Sequence, residues 1–487
     1  MKGFFNEKIG LYGLLYSIII IGLILSHLPF LEADADLNIS SGSRGAWTDE
    51  GLNTCQIRNY INHGHFNLLD SDNFLKTPLF SIFLFPFFKL LGISMYVARL
   101  ITVLFCASLL LVFFWRKITL FIGLIFVVTT MMLFPIHQYS HLCLAEMYSS
   151  MLIVVSALVY SFYRTDKRYL TIFLLFILLF YSVLFKIQFI YVLAIPALVT
   201  FSEYFLNRSI ENKKRLLVAT IVLLSVFFGI VFIWYIPFNV EWEQIAKQQS
   251  GSFSFNTFSV DLIQKNLKLN ILSKRYLIFS LLFIFSFFIA INQLIKKQYS
   301  KEYISLLIVS FSWFIVELHK LGLSYLPIRY LISFYLSMGF FISIVIGYYL
   351  FHTKFMFKST VIASCLLLLF LLNSYLYQQA FFSRSFSVQK MNSYFQKLTN
   401  DNDVVIGPWA PSFTWDTKCY SYPIWSNFIG ERDIIKYYHP DFIISEFKQE
   451  DSGFAYKQNG IDLDVFCDSL KSQKIALWNL KVFKVNK

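Results

Sequence analysis

The stretch Trp47-Thr-Asp-Glu-Gly-Leu-Asn-Thr-Cys-Gln-Ile-Arg58 places two carboxylates, Asp49 and Glu50, side by side shortly after the first long apolar run of the chain. That run, residues 9–31, is long enough to cross a bilayer as a helix. The stretch is therefore predicted to lie just outside a membrane. A carboxylate pair at the mouth of a membrane-embedded cavity is suited to general-base chemistry at the bilayer surface.

The composition of the whole chain indicates a polytopic membrane protein. Of its 487 residues, 57% are hydrophobic and 15% are charged, and 56 are Phe, whereas a soluble domain carries about 25% charged residues. The net charge of +13 would suit a nucleic-acid partner in a soluble protein. Here the cations lie in short clusters between apolar runs, which is the positive-inside pattern. We therefore exclude nucleic acid as a partner.

Apolar runs and cation clusters alternate along the chain, and this alternation predicts eleven transmembrane helices. Lys2 and Lys8 precede the first run and place the N-terminus in the cytoplasm. An odd number of spans then places the C-terminus outside, in a protein of the kind embedded in a bacterial inner membrane. The predicted spans are 9–31, 95–115, 118–134, 146–164, 169–185, 187–206, 216–236, 276–294, 303–318, 330–350 and 359–379.

Two domains are predicted, a transmembrane domain over residues 1–379 and an extracytoplasmic domain over residues 380–487. In the first, residues 32–76 and 237–273 form outer loops, and 78–92 is too short to span and is expected to be re-entrant or juxtamembrane. The second contains strand-like runs at 403–407, 442–445 and 481–485 and a helix-like run at 464–471. The predicted fold class is mainly α, a helix bundle followed by a small α/β domain.

Several ionisable groups occur at the outer ends of spans, where topology does not require them. Glu146 begins the fourth span, Lys186 with Gln188 follows the fifth, and Arg329 with Tyr330 begins the tenth. Three further charged residues can each be explained without a role in a functional site, although such a role is also open for them. Arg58 could pair with a carboxylate on its own helix face, Lys76 could be a snorkelling interfacial anchor, and Lys320 could be a loop residue.

Cysteine and histidine spacing does not indicate a metal site. The six cysteines form no CxxC pattern. Cys419 and Cys467 share the C-terminal domain and are either a disulfide, if that domain lies in an oxidising compartment, or two free thiols. His137 and His141 have i, i+4 spacing, but polar residues at a wet helix end explain them better than metal ligands do. No cofactor is predicted.

Taken in order, these residues resemble the GT-C superfamily of polytopic glycosyltransferases that use polyprenyl-phosphate sugars, especially protein O-mannosyltransferase-like enzymes and the aminoarabinose transferases of lipid A. The resemblance covers about the first 340 residues. The positions that carry it are Asp49-Glu50, Lys76-Thr77-Pro78, Leu91-Gly92 with Arg99, Glu146, Lys186 and Arg329-Tyr330.

The resemblance implies a catalytic base at Asp49, an acid that assists it at Glu146, and donor-phosphate contacts from Lys76, Lys186 and Arg329. Glu50 is then expected to hold the donor sugar, and Arg58, Gln188 and Tyr330 to complete the substrate site. Several relatives have Glu directly before the lysine that Lys76 matches, whereas this chain has Leu75. Some members of the superfamily need a divalent metal, but no ligand set here indicates one.

The implied activity is inverting transfer of a sugar from a polyprenyl-phosphate donor to an acceptor hydroxyl or amine at the outer face. The acceptor is a protein, a lipid or a glycan, and membrane lipid is a second expected partner. Two alternatives stay open, a flippase or transporter for lipid-linked glycans and a polysaccharide polymerase or ligase. Transport sites usually lie near the bilayer midplane, whereas the polar groups here cluster at the outer ends of spans.

Overall fold

The computed structural model describes residues 7–39, 43–71, 73–162, 168–206, 208–240, 242–243, 259–296, 300–352, 356–425, 434–446, 455–457 and 459–486. Lys2 and residues 244–258 of the predicted outer loop lie outside these ranges. Within them the chain is mainly helical. The longer helices are Glu7–His27, Gly45–His63, Pro78–Leu91, Met95–Leu110, Lys117–Phe126, Ala145–Phe162, Arg168–Phe185, Ile195–Leu206, Ile210–Ile230, Val260–Asn270, Leu277–Ile295, Lys301–Glu317, Ile328–His352, Met356–Phe382 and Ser387–Leu398.

Most of the predicted spans appear as long apolar helices. In the described part of the chain, nine helices are long and apolar enough to cross a membrane. The predicted third and fifth spans correspond to the shorter apolar helices Lys117–Met131 and Leu170–Phe185. The predicted juxtamembrane segment is the helix Pro78–Leu91, which has Pro at its first position and ends at Gly92 with φ of 87°. The chain is therefore an integral membrane protein with a mainly α fold.

The helix Ile328–His352 forms the centre of the bundle, because 94% of its most apolar 18-residue stretch is buried inside the protein. Two glycines allow neighbouring helices to approach it closely. A Cβ on Gly339 would lie 2.0 Å from Oγ1 of Thr130, and one on Gly347 would lie 3.0 Å from the side chain of Ile122. Small residues at such crossings let helix backbones pack tightly in a membrane. This central helix begins at Ile328, one residue before Arg329.

The C-terminal domain contains a five-stranded mixed sheet in the order β2-β1-β3-β5-β4. Strand β1 is parallel to β2 and β3, whereas β5 is antiparallel to both β3 and β4. The strands are β1 Val404–Ile406, β2 Tyr420–Tyr422, β3 Phe442–Glu446, β4 Cys467–Ile475 and β5 Trp478–Val485. Sheet and helices together give the small α/β domain expected from the sequence.

The helix predicted at 464–471 is wrong. A single helical turn, Leu463–Phe466, is followed directly by β4, which pairs antiparallel with β5. The two strands are joined through Ala476 and Leu477, and Ala476 has a φ of 50°. Because this turn lacks the Gly or Asn that usually marks a tight hairpin, the sequence pattern did not reveal the strand before it.

Cys419 and Cys467 are both buried free thiols. Of the two interpretations left open by the sequence, the structure therefore supports unpaired cysteines.

Candidate active site

The helix Gly45–His63, here called the first-loop helix, carries Asp49 and is held by the C-terminal domain. The hydroxyl of Ser412 donates to the carbonyl of Trp47 at 3.0 Å, and the amide of Asn59 donates to the carbonyl of Ser421 at 3.0 Å. A Cβ on Gly51 would lie 2.6 Å from the backbone of Pro411. Such close contact requires glycine there, so the C-terminal domain fixes the helix that presents Asp49.

Two ion pairs lie together where the helices Ala145–Phe162 and Ile328–His352 begin and the helix Arg168–Phe185 ends. Asp49 Oδ2 is 2.5 Å from Nη1 of Arg329, and Glu146 pairs with Lys186. The side chains are 19%, 12%, 3% and 12% exposed in the order Asp49, Arg329, Glu146 and Lys186, so both pairs are largely shielded from water. We call these four residues the acid–base cluster.

The ring of Tyr330 lies beside both cations of the acid–base cluster. The Nζ of Lys186 is 5.7 Å from the ring centroid, and the Cζ of Arg329 is 5.2 Å from it. Cations within about 6 Å of an aromatic face are attracted by its quadrupole. Tyr330 therefore helps to hold the two cations in one place.

Gly45 is the residue that lets Arg329 reach Asp49. A Cβ at Gly45 would lie 1.3 Å from Nη1 of Arg329 and 3.0 Å from Oδ2 of Asp49. Any side chain would therefore occupy the position of the guanidinium.

Burial raises the pKa of Asp49 above its ordinary value. The guanidinium of Arg329 acts in the opposite direction, and the negative charge of Glu146 raises the pKa further. A carboxylate with a raised pKa is a stronger base than a free aspartate, provided that it is ionised. The Coulombic influence of Glu146 and Lys186 also shows that the two ion pairs are electrostatically coupled.

A cavity of about 50 Å³, lined by both charged and apolar side chains, opens beside the acid–base cluster. Glu146, Lys186, Gln188 and Tyr330, all expected in the site, line it. One water needs roughly 10–15 Å³ measured in this way, so the cavity has room for a small polar group. Its other lining residues are Phe189, Tyr191, His319, Lys320 and Leu323.

A third ion pair, Glu317 with Lys320, lies beside the same cavity, which Lys320 lines. The carboxylate and Nζ are 2.6 Å apart, and Glu317 is fully buried. Glu317 also accepts hydrogen bonds from Tyr191 at 2.8 Å, from Trp313 at 3.1 Å and from Ser333. Sequence reasoning missed Glu317 and interpreted Lys320 as a loop residue. An acid at the outer end of a span with a lysine three residues later was the available signal.

Glu50 does not face the cavity side of the site. Arg99 donates to both of its carboxylate oxygens, with Nη2 2.5 Å from Oε2, and the backbone N–H of Cys143 donates to Oε1 at 2.7 Å. Arg99 in turn donates to the carbonyls of Phe30, Leu31 and Ala33. Glu50 is only 2% exposed and joins the first-loop helix to the helix that carries Arg99 and to the backbone at Cys143. Its contact with a donor sugar stays a prediction, and the structure shows a structural role for it.

Arg58 is likewise placed away from the acid–base cluster. Its Nη2 donates to the carbonyl of Pro411 at 2.6 Å, and its Cζ lies 4.2 Å from the ring centroid of Trp415. It is 3% exposed. Arg58 thus joins the first-loop helix to the C-terminal domain, and it also donates to the carbonyl of Gly51 on its own helix at 3.3 Å instead of pairing with a carboxylate there. Its contact with substrate stays a prediction.

Lys76 ends the short helix Asn73–Lys76 and is half-buried. The residue before it, Leu75, accepts a hydrogen bond from Nε1 of Trp234 at 2.9 Å. Contact between Lys76 and a donor stays a prediction.

An apolar groove of about 330 Å³ lies between the helices Arg168–Phe185 and Ile210–Ile230, and all of its lining side chains are apolar. Ile187 lines it and is adjacent in sequence to Lys186. Trp234 also lines it and binds the backbone next to Lys76. The groove therefore ends near two of the expected phosphate-binding lysines.

His137 and His141 lie with His27 in a buried group at the outer end of the first span. The rings of His27 and His137 are stacked with centroids 4.1 Å apart, and His27 Nε2 is 3.1 Å from the hydroxyl of Ser140. Among the described residues, no three His, Cys, Asp or Glu side chains are arranged to hold a metal ion.

No protein-family model and no curated protein matches the sequence. The structure is similar to the crystal structure of ArnT from Cupriavidus metallidurans bound to undecaprenyl phosphate, with a TM-score of 0.56 and 11% sequence identity. The similarity covers 97% of each chain. At this identity the likeness shows the fold alone, and the shared fold extends over nearly the whole chain.

Proposed function

We propose that this protein is a membrane glycosyltransferase that transfers a sugar from a polyprenyl-phosphate donor to an acceptor hydroxyl or amine outside the membrane. The observation that carries the proposal is the acid–base cluster, in which a half-buried carboxylate with a raised pKa lies beside three other charged groups. The groove and the GT-C fold, shared with a protein crystallised with undecaprenyl phosphate, support a lipid-linked donor.

In this proposal the prenyl chain lies in the apolar groove and the phosphate lies at its end. Lys186 and Lys320 contribute ammonium groups to the small cavity, and Lys76 approaches from the other side of the groove. Preorganised cations stabilise the negative charge that develops on a departing phosphate. Arg329 is occupied by Asp49, so it acts on the base more directly than on the phosphate.

The chemical step is a single displacement. Asp49 removes the proton from the acceptor as its oxygen or nitrogen bonds to the anomeric carbon. The bond between that carbon and the phosphate oxygen breaks, and the electron pair leaves with polyprenyl phosphate. Attack from the opposite face inverts the anomeric configuration. Glu146, through its charge, keeps Asp49 basic and holds Lys186 at the phosphate.

Incubation of the purified full-length protein with a panel of polyprenyl-phosphate sugars and candidate acceptors tests this function. Mass spectrometry is expected to detect a glycosylated acceptor and free polyprenyl phosphate. Flipping of a lipid-linked glycan across vesicles that persists in Asp49→Asn, without any transfer, would instead support a transporter.

Gly45→Ala is expected to reduce transfer by about a hundredfold, because the new methyl group displaces Arg329 from Asp49 and small misplacements of catalytic groups have effects of roughly this size. Gly22→Ala is the matched control, since a Cβ there meets no atom within 4 Å. Equal transfer rates for Gly45→Ala and the wild-type protein would contradict the proposed role of the Asp49–Arg329 pair.

The pH at which kcat/KM falls on acidification, the acid limb of the pH profile, is expected to depend on the charged groups around Asp49. Activity requires ionised Asp49, so kcat/KM should fall as pH decreases through its pKa, which is raised above that of an ordinary aspartate. Glu146→Gln removes a negative neighbour and should move this limb to lower pH. Arg329→Gln removes a positive neighbour and should move it to higher pH. If both substitutions move the limb in the same direction, Asp49 is not the titrating base.

A further inference from the structure

The carboxylate of Glu317 is surrounded by donors from separate segments of the chain. It accepts hydrogen bonds from the hydroxyl of Tyr191, the indole N–H of Trp313 and the hydroxyl of Ser333. Lys320, in the turn that follows the helix of Glu317, completes the set as an ion pair. The side chain of Glu317 is fully buried. One negative charge inside the protein is therefore held by four donors.

Stability does not by itself account for the Glu317–Lys320 ion pair. Replacing a buried ion pair by well-packed apolar residues is often neutral or even stabilising, because burial removes both charges from water. The two members of the pair also differ in their surroundings. Glu317 is 0% exposed, whereas Lys320 is 8% exposed and lines the small cavity beside the acid–base cluster. The pair therefore presents an ammonium group at the cavity wall, with the carboxylate behind it.

Contacts on several sides fix the ammonium group of Lys320. Its Nζ is 2.6 Å from the carboxylate of Glu317 and 3.5 Å from the hydroxyl of Ser333. It also lies 5.2 Å from the ring centroids of Phe189 and Tyr191, which both line the cavity. A lysine ammonium is a point charge on a flexible four-carbon stem. Because the contact with Glu317 is the shortest of these and is charged, Glu317 mainly determines where the ammonium lies.

Lys186 is held in the same manner at the same cavity. Its ammonium group pairs with Glu146 and lies 5.7 Å from the ring centroid of Tyr330, and all three residues line the cavity. An ammonium group has three N–H donors, so a bond to one carboxylate leaves N–H groups for a ligand. Two fixed ammonium groups suit an anion with several oxygen acceptors, such as phosphate.

We propose that Glu317 is a positioning residue of the donor site. It holds the ammonium group of Lys320 in the cavity, where Lys320 and Lys186 together bind the oxygens of one phosphate group. This role rests on the proposed function, in which the donor phosphate lies at these lysines. Glu317 acts through Lys320 and does not touch the donor, because its carboxylate is fully buried. It differs in this from Glu146, whose charge also acts on Asp49.

The test compares the binding of two lipids that differ in the phosphate group. Undecaprenyl phosphate and undecaprenol are titrated separately into the purified full-length protein in detergent. Glu317→Gln and Lys320→Met should each weaken the binding of undecaprenyl phosphate about tenfold, as expected when a hydrogen bond to a charged group is lost. Binding of undecaprenol should stay at the wild-type level, because the apolar groove is unchanged.

The double variant Glu317→Gln/Lys320→Met shows whether Glu317 acts through Lys320. If it does, adding Glu317→Gln to Lys320→Met weakens the binding of undecaprenyl phosphate no further. The double variant also leaves no charge of this pair buried without its partner, so it serves as the test where a single variant does not fold. It should then lose affinity for undecaprenyl phosphate and keep its affinity for undecaprenol.

Glu203→Gln is the matched control for the loss of a buried, paired carboxylate. Glu203 lies 2.6 Å from the guanidinium of Arg215 and accepts from the hydroxyl of Tyr160 at 3.1 Å. It is near the end of the helix Ile195–Leu206, whereas Gln188, Phe189 and Tyr191 of the cavity precede the start of that helix. This control should bind both lipids with wild-type affinity.

Transfer kinetics give a readout that general damage to the fold would not produce. Glu317→Gln should raise the KM for the donor and leave kcat within about twofold of wild type, since it removes donor binding and not the base. The acid limb of its pH profile should stay in place, because the charges that act most on the pKa of Asp49 are those of Arg329, Glu146 and Lys186.

Wild-type affinity of Glu317→Gln for undecaprenyl phosphate would overturn the proposal. Equal losses of affinity for both lipids would do the same, since they would mean that Glu317 only supports the fold. A further loss in the double variant relative to Lys320→Met would show that Glu317 does not act through Lys320. The expected binding pattern without sugar transfer by the wild-type protein would count against the proposed function alone.

Discussion

Asp49→Asn is expected to lower the rate of sugar transfer by about a hundred- to ten-thousandfold, the usual contribution of a positioned general base. The amide keeps the size of the carboxylate but cannot take up the acceptor proton. Donor binding should persist, because the groove and the lysines at its end are unchanged. The measurement is the rate of product formation at saturating donor, with donor affinity determined separately.

Glu32→Gln is the matched control for this variant. Glu32 is an exposed acid of the same outer loop, and its neutralisation should leave the transfer rate within about twofold of wild type, as for an ordinary surface substitution. Transfer by Asp49→Asn at the wild-type rate would remove Asp49 from the mechanism. Loss of donor binding together with transfer would mean that Asp49 contacts the donor instead of the acceptor.

Arg99→Met is expected to destabilise the folded protein by about 3–5 kcal/mol, because it leaves Glu50 buried and unpaired. The readout is the apparent melting temperature of the purified protein in one detergent. Arg208→Met, at an exposed arginine, should have little effect. The double variant Glu50→Leu/Arg99→Leu should lose less than Arg99→Met, since it leaves no unpaired charge. Normal stability of Arg99→Met with weakened donor binding would return Glu50 to the substrate site.

The transmembrane architecture could be predicted because its cause is local. A run of apolar residues long enough to cross the bilayer, with cations at one end, forms a spanning helix largely without regard to its neighbours. The predicted spans 330–350 and 276–294 therefore correspond to the helices Ile328–His352 and Leu277–Ile295. The strands β2 and β4 were not predicted, because β2 is only three residues long and β4 depends on pairing with β5.

Asp49, Glu146, Lys186 and Arg329 were selected because a charge at the outer end of an apolar helix has no topological purpose. That criterion does not predict which of these charged side chains contact one another in the folded protein. Glu50, adjacent to Asp49, lies about 100° further round the first-loop helix and pairs with Arg99. Glu317 satisfies the same criterion. It is connected to the cavity by its ion pair with Lys320, which lines the cavity together with Lys186.

The sequence by itself determined that this chain lies in a membrane and which charged residues occur at the ends of its apolar helices. Only the tertiary structure decided which partner each carboxylate has, Arg329 for the partly exposed Asp49 and Arg99 for the fully buried Glu50. It also decided that Gly45 leaves space for Arg329 and that the C-terminal domain holds the first-loop helix. The physical reason is the distance along the chain over which each effect acts. Hydrophobic length acts within one segment, whereas the state of a carboxylate depends on partners far away in the chain.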